Sequence, residues 1–304
     1  MTRLHANALL FLAAFCWGVG NVAQKTVLDD LGPILAMGLR GMIALIVVAP
    51  FLWRETKSSA PPTGGQWRAL AKVSVFFLLA LASQQLAYGG TSVTNASFLV
   101  NTTVVFTPVF AWLMLRERPD LVLVPSVGLA VCGILLMSGG LGALRWGDAA
   151  CVASAVLYSV WIVLVANVAR AFDRPFIIAG CQFCLAGFVG ITFGLIFENI
   201  SWQALAAAAP ELAMLGVIST GLAYTLQAVA QRHTSPSHSA IIMSAESIFG
   251  AAAASMLLGE RMNLMNGVGA ATILASIILL QVPAQLVFGK RLTRLAAAMA
   301  YTKR

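Results

Sequence analysis

The sequence predicts an all-α integral membrane protein of ten transmembrane helices, arranged as two inverted five-helix repeats. Three observations predict it. The 304-residue chain is 60% hydrophobic and only 10% charged, with mean hydropathy +0.88, whereas a soluble domain carries about 25% charged residues. Its apolar residues gather into ten runs of bilayer-crossing length, which is about 20 residues at 1.5 Å rise each. The second half also repeats the first at a spacing of 143 residues, as from Phe106 to Phe249.

In chain order the runs cover 6–25, 33–53, 69–88, 94–115, 121–138, 147–169, 175–197, 211–231, 237–258 and 264–288. The first is read as a retained helix: no A-x-A site follows it, and Phe15 stands where a lipoprotein signal needs a small residue. The longest connection, RETKSSAPPTGGQWR (54–68), is a Pro-, Gly- and Ser-rich loop. Nothing between the runs is long enough for a separate soluble domain. Helices follow because hydrocarbon offers backbone groups no partner, and only helices or closed barrels satisfy them internally.

Basic residues orient the spans. All but four of the 19 Lys and Arg fall on one side: Arg3; Arg54, Lys57, Arg68 and Lys72; Arg116 and Arg118; Arg170 and Arg174; Arg232; and Lys290, Arg291, Arg294, Lys303 and Arg304. Lys25, Arg145 and Arg261 fall on the other side, and Arg40 lies within the second run. The positive-inside rule then places both termini in the cytoplasm. The net charge of +8 is spread over these short segments without a basic stripe, so nucleic acid is not an expected partner.

The repeat is clearest where NASFLVNTTVVFTPVFAWLMLRER (95–118) falls on HSAIIMSAESIFGAAAASMLLGER (238–261). Phe106, Ala111, Leu115, Glu117 and Arg118 match Phe249, Ala254, Leu258, Glu260 and Arg261, and Thr91-Ser92 matches Thr234-Ser235. The organisation expected is a first repeat at 1–142, a second at 143–289 and a basic cytoplasmic tail at 290–304. Five spans is an odd number, so the halves insert in opposite directions. Such inverted repeats build secondary transporters with a site near the bilayer midplane.

The paired endings AWLMLRERP (111–119) and ASMLLGERM (254–262), with FCWG (15–18) on the first helix, resemble the EamA-type branch of the drug/metabolite transporter superfamily. The resemblance spans nearly the whole chain. It implies ten helices, cytoplasmic termini and a central cavity for small metabolites. Within the family the chain looks most like bacterial amino acid exporters, the aromatic ones among them, which implies the inner membrane.

Polar and aromatic stripes single out the helices that would line a path. Trp17, Asn21 and Gln24 recur at i, i+4, i+7 on the first run, as do Ser154, Tyr158 and Trp161 on the sixth. The third run adds Gln84 and Tyr88, the fourth Asn101, Thr102 and Thr103, the eighth Thr220, Tyr224 and Gln227, and the ninth Glu246. The bland alternative is that such amides and hydroxyls only bond neighbouring helices, contributing about 0.6 kcal/mol each. That reading is preferred for Gln24, Gln231 and Asn95, near helix ends, and it is the interface that claims Trp53, Trp67, Trp146 and Trp202. The candidate substrate-binding residues are therefore Trp17, Asn21, Gln84, Tyr88, Asn101, Tyr158, Trp161, Tyr224, Gln227 and Glu246. The fifth and tenth runs, poor in polar residues and rich in small ones, are read as packing elements offering a homodimer contact.

A carboxylate at the depth of Glu246 costs about 2.5–3.5 kcal/mol unless paired, protonated or facing water. Three roles stay open: a partner for Arg40, a ligand for a substrate ammonium, or a proton-coupling group. Arg40 lies at a depth from which its long side chain could instead snorkel to the outer surface, and it is the one cation that is a candidate for the path. With so few cations on the path, phosphorylated substrates are disfavoured, and zwitterionic or neutral metabolites fit better. No cofactor or metal is expected. His5, His233 and His238 lie near the cytoplasmic surface, and no H-E-x-x-H, G-x-S-x-G or P-loop appears. Cys181 and Cys184 form a C-x-x-C inside an apolar run and are read as packing. An exporter of amino acids is the leading function, with drug efflux, a passive channel and an intramembrane enzyme behind it.

Overall fold

The computed structural model describes residues 1–117, 121–137, 145–259 and 264–282. The expectations placed on Arg118, Glu260, Arg261, the 142/143 boundary and the 290–304 tail lie outside these residues. Among the described residues the chain is all helix and turn, with no strand. The elements are α1 (Arg3–Thr26), α2 (Pro33–Lys57), α3 (Gly64–Ala87), α4 (Val93–Val100), α5 (Thr103–Leu115), α6 (Leu123–Met137), α7 (Trp146–Phe172) and α8 (Pro175–Phe197). They continue with α9 (Trp202–Ala207), α10 (Ala209–Ala213), a π-helical stretch (Met214–Leu222), α11 (Ala223–Ala230), α12 (Pro236–Met243), α13 (Glu246–Leu258) and α14 (Leu264–Gln281).

Among the described residues, eight helical stretches are long and apolar enough to cross a bilayer: Arg3–Asp29, Pro33–Lys57, Gly64–Ala87, Val93–Leu115, Trp146–Phe172, Pro175–Phe197, Ala209–Ala230 and Pro236–Leu258. The fifth and tenth runs of the sequence become the shorter apolar helices α6 and α14. These two pack on each other, with Gly133 set against the Gly269 carbonyl and Ile273. The polarity is inverted relative to a soluble protein. Phe188, Phe197, Met256 and Leu264 face outward, while Asn21, Gln24, Arg40, Gln84 and Gln227 are buried. Only a hydrocarbon surrounding makes that distribution favourable.

Two helices are interrupted at corresponding places. The chain breaks at Asn101–Thr102, between α4 and α5, and again 143 residues later at Ser244–Ala245, between α12 and α13. The bonding through both breaks matches: Val104 N–H reaches the Asn101 carbonyl at 3.1 Å and Ser247 N–H the Ser244 carbonyl at 3.1 Å. The starts match as well. The repeated Thr-Ser dipeptide supplies the caps, Ser92 Oγ accepting from Asn95 N–H at 3.2 Å and Ser235 Oγ from His238 N–H at 3.3 Å.

Helices α1 and α7 run antiparallel. Lys25, in the last turn of α1, donates to the Thr91 carbonyl at 3.2 Å, and Thr91 Oγ1 donates to Asp148 in the first turn of α7 at 2.6 Å. Helices α2 and α8 meet along glycines. A Cβ on Gly38 would stand 2.3 Å from the Ile191 backbone nitrogen and 2.5 Å from the Gly190 carbonyl carbon. Backbone cannot yield as a side-chain tip can, so this approach is available to glycine alone. Gly38→Ala should therefore destabilise by the cost of overpacking, about 1–3 kcal/mol. Gly64→Ala, with nothing within 4 Å of the added carbon, should not. Thermal melts of both variants in detergent test the contrast.

Candidate functional site

The i, i+4, i+7 stripe of α1 holds the middle of the bundle, and each of its side chains ties down a different neighbour. Trp17 Nε1 donates to the Ser219 carbonyl at 2.9 Å. Asn21 Nδ2 donates to Ser97 Oγ at 3.0 Å and to Glu246 Oε1 at 2.8 Å. Gln24 Oε1 accepts from Arg40 Nη1 at 2.9 Å. Helix α1 can come this close to α13 because Gly18 faces it: a Cβ there would lie 2.5 Å from Phe249 Cβ and 2.8 Å from Gly250 N.

Glu246 is the first residue of α13, just past the break at Ser244–Ala245, where the Ser247, Ile248 and Phe249 N–H groups bond back to the Ser244 and Ala245 carbonyls. Arg40 does not snorkel. It is turned inward and buried, with Nε donating to Thr220 Oγ1 at 2.8 Å and Nη2 to Ser219 Oγ at 3.3 Å. Both hydroxyls belong to the π-helical stretch, a wider winding that shifts side chains out of α-helical register and recurs at functional sites. Three of the five Arg40 N–H groups are therefore bound by neutral oxygens. Among the described residues no ion pair joins it to Glu246.

An aromatic box gathers around Tyr224. Its ring centroid lies 4.9 Å from Trp17, 4.9 Å from Phe77 and 5.4 Å from Trp161. Tyr158 Oη sits 2.9 Å from Gln84 Oε1 and 2.9 Å from Tyr224 Oη. The Gln84 carbonyl oxygen can only accept, so Tyr158 donates to it and receives from Tyr224. Trp161 Nε1 is fixed by Gln182 Oε1 at 2.9 Å.

Together these residues line a small, partly open chamber of about 40 Å³. A single water needs roughly 10–15 Å³ by that measure, so this conformation holds a few waters and must widen to take a side chain. Two buried amides face it without full partners. Gln227 has none at either Oε1 or Nε2, and Gln24 has none at Nε2.

Of the ten residues singled out in the sequence, Trp17, Asn21, Gln84, Asn101, Tyr158, Trp161, Tyr224, Gln227 and Glu246 line this chamber. Tyr88 does not; it is buried elsewhere, its carbonyl accepting from Lys25 at 2.7 Å. Gln24, read as a helix-end amide, lines the wall, and so does Arg40. Val100, Ile162, Ser219 and Met243 were missed, and Thr103, placed on the polar face of the fourth run, was left out of the candidate set. A signal existed for part of this. Gln24 completes the α1 stripe, and Thr103 and Val100 lie 143 residues before Glu246 and Met243. Ser219 carried none, because an α-helical count through Met214–Leu222 misplaces it. Among the described residues no three His, Cys, Asp or Glu side chains converge to hold a metal ion.

The model of the EamA-like transporter family matches this chain over residues 4–139 and again over 145–282. An uncharacterized transporter of Archaeoglobus fulgidus is 26% identical over 277 residues, covering 91% of this chain and 86% of its own length. One from Methanothermobacter thermautotrophicus is 25% identical over 304 residues, covering 92% and 87%. A protein of known crystal structure superposes with a TM-score of 0.78 at 18% identity, over 94% of this chain and 100% of that one, a likeness of fold alone.

An unpartnered buried amide costs about 1–3 kcal/mol, and replacing it by an apolar group of the same shape is neutral or stabilising. Gln227→Leu should leave the melting temperature unchanged or raised while lowering function. A variant that melts lower would mean the amide has a structural partner.

Proposed function

Because the chain belongs to the EamA-like transporter family, within the drug/metabolite transporters, we propose that it exports amino acids and related small metabolites by alternating access. The observation that carries the substrate class is the chamber wall: aromatic rings and amides, with one guanidinium and one carboxylate that do not neutralise each other directly. Aromatic rings hold apolar side chains and ammonium groups. A phosphorylated substrate would call for more fixed cations than Arg40 alone.

Several features support two inverted halves, 1–142 and 143–289, exchanging conformations. The family model matches twice in succession, the broken helices recur at the repeat spacing, and α1 runs antiparallel to α7. Discontinuous helices at a shared pocket are how such folds build a midplane site. The excess of basic residues on one side favours cytoplasmic termini in a cytoplasmic membrane.

Each end of the chamber is also bridged by a cation from the last turn of a central helix. At one end Lys25 of α1 reaches the Thr91 and Tyr88 carbonyls. At the other, Arg170 of α7 reaches the Thr234 carbonyl at 2.9 Å and pairs with Glu117. Thr91 and Thr234 are repeat mates, so the bridges are related by the same pseudo-symmetry. Both are made in this conformation, in keeping with the contracted chamber between them. Opening to one side requires breaking one bridge while the other holds.

A second reading, efflux of aromatic or cationic xenobiotics, is favoured by Glu246 beside an aromatic box and opposed by Arg40. Proteoliposomes loaded with labelled threonine, methionine, phenylalanine or tetraphenylphosphonium separate the two. Saturable amino acid flux with counterflow is expected. Flux of the cation alone would favour the second reading, and flux linear in concentration would mean a pore. Lys25→Ala and Arg170→Ala should bias the carrier toward opposite open states. Their half-saturation concentrations, measured from the two sides of the membrane, should shift in opposite directions.

A further inference from the structure

We propose that Arg40 and Glu246 form a two-pole clamp for a zwitterion, Arg40 taking a carboxylate and Glu246 an α-ammonium, with the Trp17–Tyr224 box receiving the side chain. The proposal rests on the chamber being the transport site. Opposite charges in a low-dielectric interior attract strongly and ordinarily close into a hydrogen-bonded pair. Here both face one chamber, and each is held away from the other by its own amide on α1: Gln24 binds Arg40 and Asn21 binds Glu246. Those amides are three residues apart, about 4.5 Å along the helix axis. The stripe on α1 thus keeps the poles separate and leaves the space between them to an occupant.

The remaining hydrogen-bonding capacity fits the same occupant. A guanidinium has five N–H donors. Three are engaged, one on each nitrogen, by Thr220, Gln24 and Ser219. Nη1 and Nη2 each retain one, the number a carboxylate accepts in a two-point contact. On Glu246, Oε1 takes the Asn21 amide, while Oε2 has no protein donor among the described residues. The unpartnered Gln227 amide, on the same wall, offers a donor and an acceptor to whatever enters.

Charge balance supplies the selectivity. A zwitterion neutralises both poles at once. An amine lacking the carboxylate leaves Arg40 uncompensated and is repelled by it; an acid lacking the amine meets Glu246 in the same way. Discrimination against such analogues is large wherever a buried polar group loses its partner. The clamp therefore selects the amino acid backbone, and the aromatic box grades the side chain by size.

The test uses purified full-length protein, with binding read from the fluorescence of Trp17 and Trp161 and flux read in proteoliposomes. The probes are L-phenylalanine, 2-phenylethylamine and 3-phenylpropanoate, which share one ring and differ only in their poles. Each truncated analogue should bind the wild type at least tenfold more weakly than phenylalanine. Glu246→Gln should lose tenfold or more for phenylalanine and for the amine, and bring the acid level with phenylalanine. Arg40→Gln should do the reverse; should it fail to fold, the Glu246→Gln comparison decides. If the wild type carries phenylalanine yet binds amine or acid equally well, or if Glu246→Gln preserves the wild-type ranking, the clamp is wrong and the transport reading stands. If none of threonine, methionine and phenylalanine is carried or bound, the transport reading fails and the clamp falls with it.

Discussion

Hydrocarbon gives a buried carboxylate and a buried guanidinium no solvent to retreat to, so each must be satisfied by the protein that surrounds it. In this chain that work falls to one helix. Asn21 and Gln24, one turn apart on α1, bind Glu246 and Arg40, which belong to different parts of the chain. Moving either charge to the bilayer without a partner costs about 2.5–3.5 kcal/mol on insertion scales, far more than an average interhelical hydrogen bond contributes. The two amides consequently fix α1 against α13 and α2 at once. The small residues around them, Gly18 and Gly20 on α1 and Gly250 on α13, allow the backbones near enough for those bonds to form.

That arrangement explains the irregular backbone. A continuous α-helix through residues 93–115 or 236–258 would keep every backbone group in its own ladder and present only side chains to the chamber. Breaking each at the repeat mates Asn101 and Ser244 begins a second helix inside the protein, and Glu246 occupies the start of one of them. The π-helical stretch does the corresponding work opposite α1, bringing the Ser219 carbonyl to Trp17 and two hydroxyls to Arg40. Non-helical or loosened backbone at this depth is tolerable only where it lines a cavity or is buried in protein, and these stretches meet that condition.

The sequence carried much of this in its simplest signals. Length and apolarity located the long apolar stretches, because a bilayer imposes a minimum span that no soluble helix must meet, but neither the short α9 nor the breaks within 94–115 and 237–258. The Trp17–Asn21–Gln24 stripe located the chamber, since polar side chains on one face of a lipid-immersed helix have to face inward. The limits of this reading are equally physical. Tyr88 lies one turn beyond Gln84 on the same face, but α3 ends there, and its buried side chain is not among those that line the chamber. Depth alone left Arg40 between the outer surface and the path. Two of its inward partners, Thr220 and Ser219, come from about 180 positions away, through a helix whose pitch no periodicity count anticipates. Gln24 was discounted for standing near a helix end, a rule that holds for aromatic and basic anchors at an interface and fails for an amide with a buried cation to bind.

The contracted state has an energetic consequence of its own. Gln227 and the Nε2 group of Gln24 are buried without partners, and a buried polar group so placed costs about 1–3 kcal/mol. Waters can relieve some of that, but the chamber admits few. An occupant that offers a donor and an acceptor to those amides removes that cost, and an apolar one does not. The hydrogen bonds that would recognise an occupant therefore also set how favourable this arrangement of the chamber wall is with and without it.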